Sequence, residues 1–291
     1  MRFNHLAIVG VGLIGGSFAL AARRAGLADR ITGWGGKSSL AKALATGVVD
    51  GIEDAFDSSE VSTADLVYVA APIGGILDFL RTRGKLIKPG AIVTDAGSTK
   101  REICRAAHAS LPPKVHFVGG HPMAGSHRAG IEFARADLFE DAPYAIVRSE
   151  EAENAVSIFS EVVQAIGARL VITTAEHHDR VVARISHAPQ LLSTALAVAT
   201  EDSIGQESSR LAGPGFRDMT RLASSSWSIW KDICQTNADE IAEALGEVIR
   251  ELEVTRNSVA SGDSAALLEA FQKANESFGG LKRDRGEDTP A

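Results

Sequence analysis

A short apolar run, Leu6-Ala-Ile-Val9, leads directly into Gly10-Val-Gly12-Leu-Ile-Gly15-Gly16 and then into the alanine-rich stretch Ser17–Ala22. Few local sequences restrict a fold so strongly. Glycines at this spacing predict a buried strand, a tight turn and a helix, with the first glycine making the turn, the second letting backbone approach a ligand and the third packing helix against strand. The helix start at Gly12, Leu13, Ile14 and Gly15 then offers unpaired N–H groups and a positive dipole end, suited to the pyrophosphate of a dinucleotide. Two blander readings exist. A glycine-rich turn can lack a ligand, and Arg2 before an apolar stretch has the outline of a secretory leader. The glycines oppose the leader because they interrupt what would be its helical core.

Further apolar runs follow at Arg30–Trp34, Leu66–Ala71, Ala91–Thr94, Val115–Val118, Tyr144–Val147 and Val171–Thr173, separated by segments able to form helices. Strands alternating with helices predict an open, mostly parallel sheet. Ser38 or Ser39 is the expected cap of a helix running to about Thr46. No strand-like run appears beyond Thr173, and Ala175–Thr200 reads as one long apolar helix, buried in a small domain or against a second subunit. The expected fold is therefore α/β: a Rossmann-type dinucleotide-binding domain over 1–173, an all-helical dimerisation domain over 174–280 and a disordered tail over 281–291.

Composition narrows the function classes. Among 291 residues, 37 acidic side chains outnumber 30 basic ones, giving a net charge of -7, which opposes a phosphate-neutralising surface and hence a nucleic-acid partner. No stretch approaches the roughly 18 apolar residues of a membrane span. The two cysteines, Cys104 and Cys234, make neither a disulfide framework nor a zinc site, so a cytoplasmic location is expected.

Where the second strand ends, an acidic residue ordinarily accepts hydrogen bonds from an adenosine ribose. This chain has Gly35-Gly36-Lys37-Ser38-Ser39 there, so a 2′-phosphate would meet a lysine, two hydroxyls and backbone N–H groups. NADP is the expected cofactor, with NAD the alternative if Lys37 is merely solvated. Two later loops leave carboxyl ends of strands: Asp95-Ala-Gly97-Ser98-Thr-Lys100 and Gly119-Gly-His121-Pro-Met-Ala-Gly125-Ser126. In an open α/β sheet that edge is the ligand crevice, so Ser98 and His121 are expected to converge there. A histidine so placed can take the proton of an alcohol as hydride leaves the carbon; a loop histidine satisfied by backbone is the plainer account. Arg217 and Arg221 in Gly215-Phe-Arg-Asp-Met-Thr-Arg221, spaced i and i+4, suit a carboxylate ligand, against a solvated salt-bridge cluster. Pro189 in Ser186-His187-Ala-Pro189-Gln190 is expected to bend the long helix. His177 and His178 read as a helix-start pair, and no full ligand set accompanies them, so no metal is expected.

These segments, in this order and spacing, resemble the prephenate/arogenate dehydrogenase family of tyrosine biosynthesis, over nearly the whole chain. The resemblance implies oxidative decarboxylation of a cyclohexadienyl small-molecule substrate in a homodimer. It assigns the hydroxyl to His121, the positioning of His121 and nicotinamide to Ser98, a substrate carboxylate to Arg221, the shape of the arginine pocket to Asp218 and Trp230, and the substrate side-chain end to His187 and Gln190. Two departures matter: His127 and Arg128 stand where many members carry an acid, and Gln190 replaces a frequent histidine, which leaves both prephenate and arogenate open. The resemblance consumes the chain up to its tail, so a fused chorismate mutase or regulatory domain is not expected, and tyrosine inhibition would act at or near the active site. The competing readings are a β-hydroxyacid or imine reductase, which ordinarily uses a lysine that Ala175–Thr200 lacks, and a non-catalytic NADP sensor, which would not need Ser98, His121 and Arg221 together.

Overall fold

The computed structural model describes residues 2–53, 60–125, 130–205 and 207–284. Its first part alternates as the apolar runs require: β1 (Phe3–Val9), α1 (Leu13–Arg24), β2 (Ala28–Trp34), α2 (Lys37–Ala45), β3 (Gly51–Glu53), α3 (Glu60–Thr63), β4 (Leu66–Val69), α4 (Ile73–Arg83), β5 (Ile92–Asp95), α5 (Arg101–Ser110) and β6 (His116–Val118). These strands form one parallel sheet in the order β3-β2-β1-β4-β5-β6. The order reverses between β1 and β4, and a ligand crevice opens above such a reversal, outside the carboxyl ends of the strands.

A second sheet was not legible in the apolar runs. It joins β7 (Gly120–Pro122), β8 (Pro143–Val147) and β9 (Arg169–Thr173), with α6 (Glu153–Ala165) crossing between the last two. β7 is antiparallel to β8 and sets His121 opposite Ala145. His121 therefore belongs to a strand and not to a loop. Three residues flanked by glycine and proline carry no alternation to betray a strand, and β3 escapes notice for the same reason.

The core lies under α1 and α6. Phe18 stacks on Tyr68 with ring centroids 3.7 Å apart and meets Phe139 and Phe159 at its edges. The Tyr144 hydroxyl donates to that of Tyr68 at 3.2 Å, so neither buried phenol is left unpaired.

Beyond Thr173 the described residues are helical: α7 (Ala175–Val182), a π turn (Ala183–His187), α8 (Ala188–Ile204), α9 (Glu207–Leu211), α10 (Pro214–Thr220), a 3-10 turn (Arg221–Ser224), α11 (Trp227–Thr236), α12 (Ala238–Ser261) and α13 (Ser264–Asp284). The π turn falls just before Pro189, whose missing N–H cannot continue the α pattern. The expected long helix is thus a helix with a widened turn at His187. On α8 only Ala188, Gln190 and Ser193 are buried, so of the two expected covers, a small domain and a second subunit, the isolated chain does not supply the first on most sides of the helix.

Compactness divides the chain into Met1–Ile241 and Ala242–Ala291. The second unit holds most of α12 and all of α13, and it exposes Leu252, Val259 and Phe271. Helix α13 extends to Asp284, into the stretch expected as tail; 285–291 lie outside the described residues, as do Ser126, His127 and Arg128. Among the described residues, no helix is long and apolar enough to cross a membrane.

Candidate active site

The glycine turn fits the dinucleotide. Gly10 has φ +91°, and a Cβ there would lie 2.5 Å from the Ala70 carbonyl oxygen; at Gly15 it would lie 2.1 Å from that of Gly10. At Gly12 nothing stands within 4 Å of the missing Cβ, so this face of the turn is an open cradle. Gly12 caps α1 without a side-chain hydrogen bond, and the first intrahelical N–H bond is that of Gly16 to the Gly12 carbonyl. The N–H groups of Leu13, Ile14 and Gly15 therefore remain for an anion.

At the end of β2, the cap of α2 is Gly36, two or three residues ahead of the serine cap expected. Lys37, Ser38 and Ser39 instead form the first helical turn, because the Leu40 N–H already closes onto the Gly36 carbonyl. Lys37 and Ser38 are exposed and Ser39 is half-buried, leaving the lysine, hydroxyls and N–H groups accessible.

His121 is held by a chain of hydrogen bonds that sequence reasoning missed. Its Nδ1 lies 2.8 Å from Nε2 of His178, and the His178 Nδ1 lies 2.8 Å from Oδ1 of Asp179. Asp179 is fully buried. Burial alone would push its carboxyl up, but hydrogen bonds from His178 and from the Arg101 and Lys100 backbone outweigh it and hold it below the usual range. Burial also holds both histidines neutral: His121 falls well below 6.5 through burial and the neighbouring His178, Lys100 and His187, and His178 falls chiefly through burial. The tautomers then follow from the chain. A carboxylate can only accept, so His178 donates from Nδ1; neutral His178 then accepts at Nε2 from Nδ1–H of His121. Nε2 of His121 is left with a lone pair.

His178 and Asp179 were legible in one respect. Ala175 and Val182 are the buried apolar residues of α7, and positions 178 and 179 fall on the same face at i+3 and i+4. Two polar side chains on a core face demand partners, and here they find His121, Lys100 and Arg101.

The helical residues close in from the other side. His187 is buried beside Trp230, ring centroids 5.9 Å apart, and burial lowers it to about 4. Asn237 reaches both the Asp179 carbonyl at 2.8 Å and His187 Nδ1 at 3.3 Å. Gln190 is buried with both ends of its amide engaged: Nε2 donates to the Leu222 carbonyl at 2.7 Å, and Oε1 accepts from the Ser225 hydroxyl at 3.1 Å. It thereby ties α8 to the turn carrying Arg221. Arg221 is exposed in that turn, past the end of α10, so it does not continue the helix of Arg217. Asp218 is exposed on α10. Ser98 lies half-buried after β5, and the Nδ1 side of His121 is braced by His178 and not by Ser98.

Comparison with known proteins identifies the family. The family model described as prephenate dehydrogenase, nucleotide-binding domain, matches residues 18–172, and that for the prephenate dehydrogenase dimerization domain matches 174–273. The chain belongs to the prephenate dehydrogenase family. It is 36% identical to a prephenate dehydrogenase of Bacillus subtilis over 96% of this chain and 76% of that protein. It is 32% identical to a cyclohexadienyl dehydrogenase of Zymomonas mobilis over 97% of both. Among solved structures, prephenate dehydrogenase from A. aeolicus in complex with hydroxyphenyl propionate and NAD+ superposes with a TM-score of 0.90 at 26% identity, covering 97% of this chain and 98% of that one. Synechocystis arogenate dehydrogenase gives 0.83 at 28% identity over 95% and 99%. This chain is thus a dehydrogenase with a nicotinamide-binding domain followed by the family's helical dimerisation domain.

Proposed function

We propose that this dehydrogenase oxidises and decarboxylates prephenate to 4-hydroxyphenylpyruvate, using NADP in preference to NAD. The observation that carries the chemistry is the neutral, braced His121, whose Nε2 has no partner among the described residues. In this reading Nε2 receives the ring hydroxyl's hydrogen bond and its proton as hydride departs from the same carbon. The bound nicotinamide supplies the hydride acceptor. As the ring carboxylate leaves as CO2, the electron pair of its carbon–carbon bond flows into the ring, and the proton returns to the oxygen of the new phenol. Arg221 takes a substrate carboxylate through its guanidinium fork; Asp218 and Trp230 shape that pocket, and His187 lines the side-chain end. His178 and Asp179 position His121, and buried Asp179 favours the imidazolium that forms.

The NADP preference rests on the exposed Lys37, the Ser38 and Ser39 hydroxyls and the unpaired N–H groups of the first turn of α2, where a ribose-binding acid would otherwise stand. Arogenate is the second reading. It is kept because Gln190 satisfies its own amide inside the protein, so it discriminates neither a keto group nor an amine. We place the dinucleotide domain at 1–173 and the substrate and dimerisation domain at 174–280, a division supported by family models that meet between 172 and 174. Homodimers are supported by the dimerisation model and by the apolar side chains that α8 leaves exposed.

Initial rates of nicotinamide reduction with prephenate and with arogenate, each against NADP and NAD, test the whole reading. The expected result is turnover with prephenate and a higher kcat/KM for NADP. Folded, cofactor-binding protein that turns over neither substrate would remove it.

A further inference from the structure

A lysine with no accessible surface is a costly thing to keep, and Lys100 has none, nor does its counter-ion Asp95. Buried ion pairs contribute little net stability against apolar replacements of similar volume. What these two hold is more informative. Lys100 Nζ donates to Asp95 and, at 2.5 Å, to the Gly120 carbonyl oxygen. Asp95 Oδ1 accepts the Gly120 N–H at 3.1 Å, and Oδ2 accepts that of Gly97 at 2.8 Å. Both polar groups of Gly120, the residue directly before His121, are thus gripped by one ion pair. A Cβ at Gly120 would sit 2.6 Å from the Asp95 backbone oxygen, so the grip closes only on glycine. The Lys100 backbone N–H meanwhile donates to Asp179 Oδ1 at 2.7 Å. The links close a ring from Lys100 through Gly120, His121, His178 and Asp179 back to Lys100.

We propose that Lys100, with Asp95 as its counter-ion, is a positioning residue for His121, fixing the imidazole through the Gly120 peptide on one side and through Asp179 and His178 on the other. The inference rests on His121 being the base. Among the described residues, the charged and titratable groups around His121 are Asp95 at the end of β5, Lys100 at the cap of α5, His178 and Asp179 on α7 with Arg101 behind them, and His187 in the π turn. After burial and His178, Lys100 is the next group that opposes protonation of His121, so it contributes to the electrostatics as well as to the place of the ring.

The test uses full-length Lys100→Met, Asp95→Asn and the double variant, each with NADP bound. Lys100→Met should lower kcat at neutral pH on the order of 10²-fold, the range of general acid–base contributions, with substrate KM and cofactor Kd within about threefold. It should also move the acidic limb of kcat/KM upward, because the cation is gone and Asp95 is unpaired. Asp95→Asn should move the limb downward, and the double variant should fall between. Unchanged kcat in Lys100→Met, or limbs that stay put or move the same way in both single variants, would show a merely structural role. If Lys100→Met does not fold, the downward shift in Asp95→Asn decides. NMR titration of the His121 imidazole in the same proteins reads these opposed shifts without substrate. An inactive wild-type enzyme would therefore sink the proposed reaction while the inference is still judged.

Discussion

The surroundings of His121 and the outer face of α8 invert the usual distribution of side chains in opposite senses. Around His121, charged and polar groups lie inside: Lys100, Asp95, Asp179 and His187 are at most 1% exposed. On α8, apolar groups lie outside: Val198 and Ile204 are 54% and 53% exposed in the isolated chain. Each inversion costs free energy unless something compensates. For the first, compensation is internal, since every one of those four side chains has a hydrogen-bond partner in the same chain. For the second it is not found within the isolated chain, and the match to the family's dimerisation domain supports a second copy as the cover we propose. In the proposed reading, buried polarity marks the chemistry and exposed apolarity the assembly.

The sharpest break of the first inversion is His121→Ala, expected to lower kcat by about 10³-fold while the thermal midpoint and NADP Kd stay near wild type. Single-turnover hydride transfer with prephenate checks it, and near-normal rates would remove His121 as the base. Acidification attacks the same region through stability. His187 titrates near 4 in the folded protein and near 6.5 unfolded, so the unfolded chain binds the proton first as pH falls. Its stabilising contribution is complete above about pH 6.5 and is lost as pH falls through 4, about 3 kcal/mol in all. Denaturant titrations at pH 7, 5 and 4 should show this decline, blunted in His187→Gln.

The second inversion is broken by Val198→Glu with Ile204→Glu, which should weaken self-association at least tenfold, as read by sedimentation, because two carboxylates would be desolvated. Unaltered dimers would place the interface elsewhere. The smallest effect is expected where neither inversion applies: Lys37→Ala, on an exposed turn, should cut the NADP over NAD preference by about tenfold, roughly 1.4 kcal/mol. Steady-state kcat/KM for both cofactors measures it, and an unchanged ratio would leave Lys37 a solvated residue.

Legibility in the sequence followed the range of the interactions. The β1 turn was readable because Gly10, Gly12 and Gly15 fall within six residues and Gly15 packs on Gly10 itself, although the space at Gly10 is also closed by the Ala70 carbonyl. Arg221 and His187 were found as motif members, yet their settings were not: the π turn beneath His187 and the helix end before Arg221 depend on how α8 and its neighbours pack. Gln190 was expected at the substrate, whereas its amide is spent on Leu222 and Ser225, some thirty residues away. The histidine pair at 177 and 178 was read as a local helix start, and only a partner 57 residues back reveals its second member as the brace of His121.

By itself, the sequence determined the parallel sheet, the dinucleotide turn and the candidacy of His121, because strand–helix alternation, glycine spacing and strand ends are read over short stretches of chain. Tertiary structure decided which nitrogen of His121 is free, which side chains are buried and charged, and why Lys100 is where it is. Those outcomes depend on desolvation and on hydrogen bonds between segments far apart in the chain, and both arise only when the strands and helices are packed.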